Sequence, residues 1–242
     1  MDEKTRAKVI QFAEEVKAEL TDNLHSIILY GSAARGSFVP GKSDVNLMIV
    51  LKTVNIGALS AVGETLKKYR KSRFADPVVV DLEYLERSAD VFPIEFNEIK
   101  RSHKIIFGED APAQIKVELP DLRLQLEREL KQSLLWLRQL IISDPDISKN
   151  FAAGLDRAAR SLSSQLRAVL MLKPEAERKD IDAIENVEKL LDNNFPALRW
   201  LLGLRQMKSP PPKADILNLL PTLLSELGHL VRWVDELAEW QA

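Results

Sequence analysis

The chain has 242 residues, 45% of them apolar and 29% charged, with a formal net charge of −2 and no cysteine. That is the balance of a soluble globular chain able to bury a sizeable core, in one large or two modest domains. It excludes disulfides, thiolate zinc sites and a cysteine nucleophile; it supplies no global basic field for nucleic acid, and its three scattered histidines do not make a His-rich metal site. The first residues form a charged amphipathic stretch without an apolar signal core, and no apolar run approaches the roughly 18 residues that span a bilayer. The expectation is a cytoplasmic protein with no membrane partner.

In chain order, residues 3–20 are predicted as a helix, with Val9, Phe12, Val16 and Leu20 on one face. Ser26 to Tyr30 is a strand. Gly31 and Ser32 turn the chain into a short helix ending at Gly36, and the loop Ser37-Phe38-Val39-Pro40-Gly41 carries turn residues. Val45 to Leu51 is a second strand, Gly57 to Lys71 a helix, and Pro77 to Leu82 a third strand rich in Val. Phe92 to Arg101 is a helix and Lys104 to Phe107 a short strand before Gly108. Strands interleaved with helices predict an α+β domain with a mixed sheet and flanking helices.

Beyond Pro120 the strand signals stop. Leu122, Leu126, Leu130, Leu134, Leu137 and Ile141 recur at helical spacing. Asp144-Pro145-Asp146 ends that helix and starts the next, which carries Phe151, Leu155, Ala159, Leu162, Leu166 and Leu170. Pro174 ends the second stripe. A third runs over Ile181, Ile184, Val187 and Leu191 to a break at Asn193-Asn194-Phe195-Pro196. After the stiff Ser209-Pro210-Pro211-Pro212 connector comes a last helix, in which Pro221 introduces a kink or restart. Four amphipathic helices on short loops predict an all-α antiparallel bundle. The final helix is apolar over more than half its circumference, from Leu219 to Val234, which predicts a second buried side that meets either the first domain or a second chain, and a homodimer is the expectation.

The junction of the first two strands carries the chemistry. Gly31 lets backbone amides approach an anion with no Cβ in the way. The helix start beside it presents unpaired N–H groups and a partial positive charge, and Ser32 adds a hydroxyl. Asp44 and Asn46, two apart at the opening of the second strand, share one face of the sheet.

An apolar strand, Gly31-Ser32, a loop, then Ser43-Asp44-Val45-Asn46 resembles the Gly-Ser…Asp-x-Asp signature of the DNA polymerase β-like nucleotidyltransferases. Ala34-Arg35-Gly36 matches the Ala-Arg-Gly often found there after Gly-Ser. The bundle resembles the partner domain of aminoglycoside-type nucleotidyltransferases. The resemblance implies a nucleotidyltransferase domain over residues 1–113 and a helical bundle over 114–242. It implies transfer of a nucleoside monophosphate from a nucleoside triphosphate to a hydroxyl of a small-molecule or protein acceptor, with Mg²⁺, or alternatively Mn²⁺, as cofactor. Gly31 and Ser32 would hold phosphates, with Arg35, Lys42 and Ser43 beside the nucleotide. Asp44 and Asn46 would ligate metal, and Asp81 would complete the metal set and act with Asp44 in catalysis. Glu83 shares the face of Asp81, and the residues do not separate the two.

Several alternatives stay open. Asn46 is an amide where the family has a carboxylate, so the chain is either an enzyme with an incomplete carboxylate set or a catalytically degenerate relative that serves as a nucleotide-binding or protein-interaction module. Arg35 either meets the triphosphate or pairs with an acid to hold the loop. Gly36 to Ser43 matches the P-loop pattern letter for letter, but a strand follows where a P-loop needs a helix.

Overall fold

The computed structural model describes residues 1–39, 41, 43–173, 182–207 and 209–237. They fall into two compact units, Met1–Glu118 and Leu119–Ala242.

In the first unit, α1 (Glu3–Leu20) begins where the Asp2 carboxylate accepts the Thr5 N–H at 2.7 Å. There follow β1 (Leu24–Tyr30), the one-turn helix α2 (Ser32–Arg35), β2 (Asn46–Leu51), α3 (Ile56–Lys67), β3 (Val78–Asp81), α4 (Leu82–Arg87), α5 (Pro93–Arg101) and β4 (His103–Gly108). The four-stranded sheet has the order β3-β2-β1-β4. β1 runs antiparallel to β2 and to β4, whereas β2 and β3 are parallel.

β1 and β2 are apolar on both sides because both faces of the sheet are covered. Ile27, Leu29, Leu47 and Ile49 pack with Phe12 and Val16 of α1 and with Val62 and Leu66 of α3. Ile28, Met48 and Val50 pack with Leu85 of α4 and with Phe96 and Ile99 of α5. The result is the mixed sheet with flanking helices that the alternating pattern predicts. Gly108 closes β4 with φ +79°, and a Cβ there would stand 2.0 Å from the His25 carbonyl oxygen, so only glycine fits beside β1.

The third strand ends earlier than its Val-rich sequence suggests. Asp81 accepts the Tyr84 N–H at 2.8 Å, and that cap turns Leu82 onward into α4. Leu82 and Glu83 are therefore helical.

The second unit is helical throughout: α6 (Leu119–Ser143), α7 (Lys149–Met171), α8 (Ala183–Leu191), α9 (Pro196–Gly203) and α10 (Lys213–Glu236). The periodicity predicts four helices, and the described residues hold five, because the chain restarts at Phe195-Pro196 as α9, with Pro at its first position. Pro174 and Ile181 lie outside the described residues. α10 runs through Pro221 as one helix.

Leu126 and Leu130 of α6, Leu155 and Leu166 of α7, and Leu227 and Leu230 of α10 are among the residues buried in this unit. Of the apolar positions on α10, Leu220, Leu223, Leu227, Leu230, Val231 and Val234 are buried within one chain. These six positions share one face of the helix, and Leu219, Leu224 and Trp233 beside it are half-buried. Glu226 of α10 is also buried, and its two carboxylate oxygens accept the Ala197 and Leu198 N–H groups at 3.2 and 2.8 Å, capping α9. Among the described residues no helix is long and apolar enough to cross a membrane.

Candidate functional site

The two halves of the sequence motif meet at one corner of the sheet. Tyr30, the last residue of β1, pairs with Asn46, the first of β2, and Gly31 follows Tyr30 directly. Gly31 has φ 73° and ψ −152°, a region in which essentially only glycine is found. A Cβ on Gly31 would lie 2.9 Å from Nδ2 of Asn46. The backbone conformation therefore calls for glycine, and a Cβ would also make the Asn46 amide turn aside. Ser32 opens α2, whose first turn is closed by the Ala34 and Arg35 N–H groups donating to the Gly31 carbonyl, each at 3.1 Å.

Asp44 precedes β2, and its carboxylate faces a cation. Nη2 of Arg73 stands 2.8 Å from Oδ1 of Asp44, with both side chains about half exposed. Arg73 adopts the left-handed conformation, φ 60° and ψ 33°. Its Nε donates to the Ser43 carbonyl at 3.3 Å, and its own carbonyl accepts the Val45 N–H at 2.9 Å. The guanidinium is thus fixed to the segment that carries Asp44. Nothing in the local sequence of Arg73 singles it out. It arrives because Val45 bridges Phe74 in parallel.

Asp81, expected as the third metal carboxylate and as a catalytic residue, stands away from this corner in the sheet register. In the β2–β3 register it pairs with Leu51, at the far end of β2 from Asp44. Seven residue steps at about 3.3 Å each separate the two levels, roughly 23 Å. Leu51 belongs to the face covered by α1 and α3, whereas Asn46 shares its face with Met48 and Val50, on the α4–α5 side. The Asp81 carboxylate is also engaged in capping α4. Glu83 lies within α4 and pairs with Arg87 at 3.2 Å.

Just before β3 comes another acid, Asp76, in the irregular step between the Val45–Phe74 bridge and the Met48–Val78 pair. It is exposed and pairs with Arg70 at 3.2 Å. Sequence reasoning passed over it because Pro77 hides the start of the strand.

The remaining residues divide. Arg35 lies 3.8 Å from Oε2 of Glu98 on α5, the loop-holding alternative. Ser43 is buried; its Oγ accepts the Val39 N–H at 3.0 Å and its own N–H donates to the Val39 carbonyl at 2.9 Å, so it clasps the loop. Lys42 lies outside the described residues. Tyr30, between Asn46 and His103 in the sheet, has its phenol pushed above the usual range by burial and stays protonated. His103 is held by the Ile99 carbonyl at 2.9 Å and the Asp110 carboxylate at 3.0 Å.

The donor set at the corner is one carboxylate, already paired with a guanidinium, and one amide. Two divalent cations need several anionic oxygens. Among the described residues no three His, Cys, Asp or Glu side chains gather to hold a metal ion. These residues do not fit a two-metal centre.

No family model and no curated protein sequence matches the chain. Among solved structures, it is similar to the crystal structure of spectinomycin adenyltransferase AAD(9) from Enterococcus faecialis with ATP and spectinomycin, at a TM-score of 0.57 and 12% identity, over 93% of this chain and 99% of that one. The likeness is one of fold: the chain has a nucleotidyltransferase fold.

Proposed function

We propose that this protein binds a nucleoside triphosphate at the Gly31–Asn46 corner and does not carry out two-metal nucleotidyl transfer. The observation that carries the reading is the Arg73–Asp44 ion pair beside the amide of Asn46. A guanidinium supplies positive charge where two cations would otherwise be gathered by carboxylates. Phosphates would meet the Gly31 turn, the Ser32 hydroxyl and Arg73, whose planar fork suits phosphate oxygens. The solved adenyltransferase that shares the fold was crystallised with ATP, which supports a nucleotide as ligand. Calorimetry with ATP and with GTP, in Mg²⁺ and in EDTA, tests it. The expected result is saturable binding that EDTA leaves unchanged, with no pyrophosphate release. Binding that requires Mg²⁺ would sink the reading.

A second reading rests on Asp76. If that acid served with Asp44 and Asn46, the chain would transfer a nucleoside monophosphate with Mg²⁺ or Mn²⁺ to the hydroxyl of a small molecule or protein. The spectinomycin in the similar structure supports a small-molecule acceptor. Pyrophosphate release that Asp76→Asn abolishes would favour this reading. Pairing of two chains is also proposed, on Leu124, Leu135 and Ile142, which α6 leaves exposed. Light scattering would show twice the 27.4 kDa of one chain.

A further inference from the structure

We infer, on the reading that a nucleoside triphosphate binds at the Gly31–Asn46 corner, that the side chains of Tyr30 and Asn46 hold its sugar hydroxyls and select ribonucleotides over deoxyribonucleotides.

Tyr30 ends β1 and Asn46 opens β2, directly opposite each other in the antiparallel register. Side chains paired in this way point to one face of the sheet, with Cβ atoms about 4.5–5.5 Å apart. That face is the one covered by α4 and α5, where Tyr30 packs against the buried cluster of Ile28 and Met48. His103 stands on the other side of Tyr30, so three polar residues cross the sheet in one row.

Two of the three are unmet. His103 spends both ring nitrogens, on the Ile99 carbonyl at 2.9 Å and on the Asp110 carboxylate at 3.0 Å. The Tyr30 hydroxyl and the Asn46 amide have no hydrogen-bond partner among the described residues. Both residues are half-buried and keep part of their surface in solvent. Polar groups at the end of an apolar sheet face need partners, and here these come from solvent or from a ligand.

The chemistry of the pair fits a neutral group. A phenol and a carboxamide are uncharged at neutral pH, and each donates and accepts. They neither neutralise a phosphate nor repel it. A sugar hydroxyl likewise donates and accepts. The amide keeps a donor that a carboxylate at position 46 would lack. It also lies against the phosphate turn, since a Cβ on Gly31 would stand 2.9 Å from Nδ2 of Asn46. When the phosphates of a nucleotide meet Gly31, Ser32 and Arg73, the neutral polar groups nearest the phosphate chain are the sugar hydroxyls, and the base lies beyond the sugar.

Calorimetry on the full chain tests this with ATP and GTP against their 2′-deoxy and 3′-deoxy forms, in Mg²⁺ and in EDTA. At least one deoxy form is expected to bind about three- to tenfold more weakly than its ribonucleotide, the worth of one neutral hydrogen bond. Tyr30→Phe removes the hydroxyl and Asn46→Ala the amide. In at least one of these variants the ribonucleotide should weaken to the affinity of that deoxy form, while the deoxy form itself is unchanged. A loss of packing alone would weaken both alike. Tyr30→Phe keeps the ring and its packing, so the test stands if Asn46→Ala does not fold. Equal affinities of the natural chain for the ribonucleotides and all their deoxy forms overturn sugar recognition and leave the nucleotide site standing. A preference that both variants retain in full overturns its assignment to this pair. Absence of saturable binding by every probe overturns the nucleotide reading itself, and sugar recognition with it.

Discussion

Nη2 of Arg73 stands 2.8 Å from Oδ1 of Asp44, one residue before the strand that begins with Asn46. A half-exposed ion pair of this kind is worth at most about 1 kcal/mol, so its weight lies in electrostatics at the corner and not in stability. Removing the cation and placing a carboxylate at position 46 should give the site a preference for the metal complex. The Asn46→Asp/Arg73→Ala double variant is expected to bind Mg²⁺-ATP better than metal-free ATP, whereas the natural chain shows no such preference. Titrations in EDTA and in Mg²⁺ check this, and equal affinities in the double variant would refute it.

Gly31→Ala places a methyl group 2.9 Å from the Asn46 amide on a backbone held at φ 73°. The expected loss is about 1–3 kcal/mol in urea unfolding, together with weakened triphosphate binding. Unchanged stability would mean that the turn can relax to another conformation.

Asp81→Ala removes the cap of α4 and should cost about 0.5–2 kcal/mol. Asp81→Asn, which keeps an accepting oxygen, should cost less. Neither should change triphosphate binding, because Asp81 is level with Leu51 and not with Asp44. A nucleotide affinity that fell in both variants would return Asp81 to the site.

Burial raises the Glu226 carboxyl above the ordinary carboxylate range, against the opposing pull of the Leu198 and Ala197 N–H groups. The folded chain therefore holds this proton more tightly than the unfolded chain. Its contribution to stability is fully present below the ordinary value of 4.5 and is lost as pH rises through the raised value. Glu226→Gln keeps a neutral side chain at every pH. Unfolding curves at pH 4.5 and pH 8 should differ less for the variant than for the natural chain. Equal differences would mean that Glu226 titrates as an ordinary surface acid.

By itself the sequence determined what local chemistry controls. The Val9–Leu20 stripe, the apolar runs of β1 and β2, the Gly31-Ser32 turn and the long heptad-like stripes of α6 and α7 are read from periodicity and turn residues, because each residue's role there depends on neighbours a few positions away. The pairing of Gly31 with the Asp44–Asn46 segment was also legible, since an antiparallel return of β2 along β1 brings the ends of a short connection together. What only the tertiary structure decided is register and partnership across the sheet. β3 stands beside β2 in parallel, and its phase sets whether Asp76 or Asp81 faces the site. Phase depends on the Val45–Phe74 bridge and the irregular step after it, and no local pattern encodes it. The same bridge delivers Arg73 to Asp44 from nearly thirty residues away in the chain, and an ion pair made by two surface side chains leaves no periodic trace in either segment.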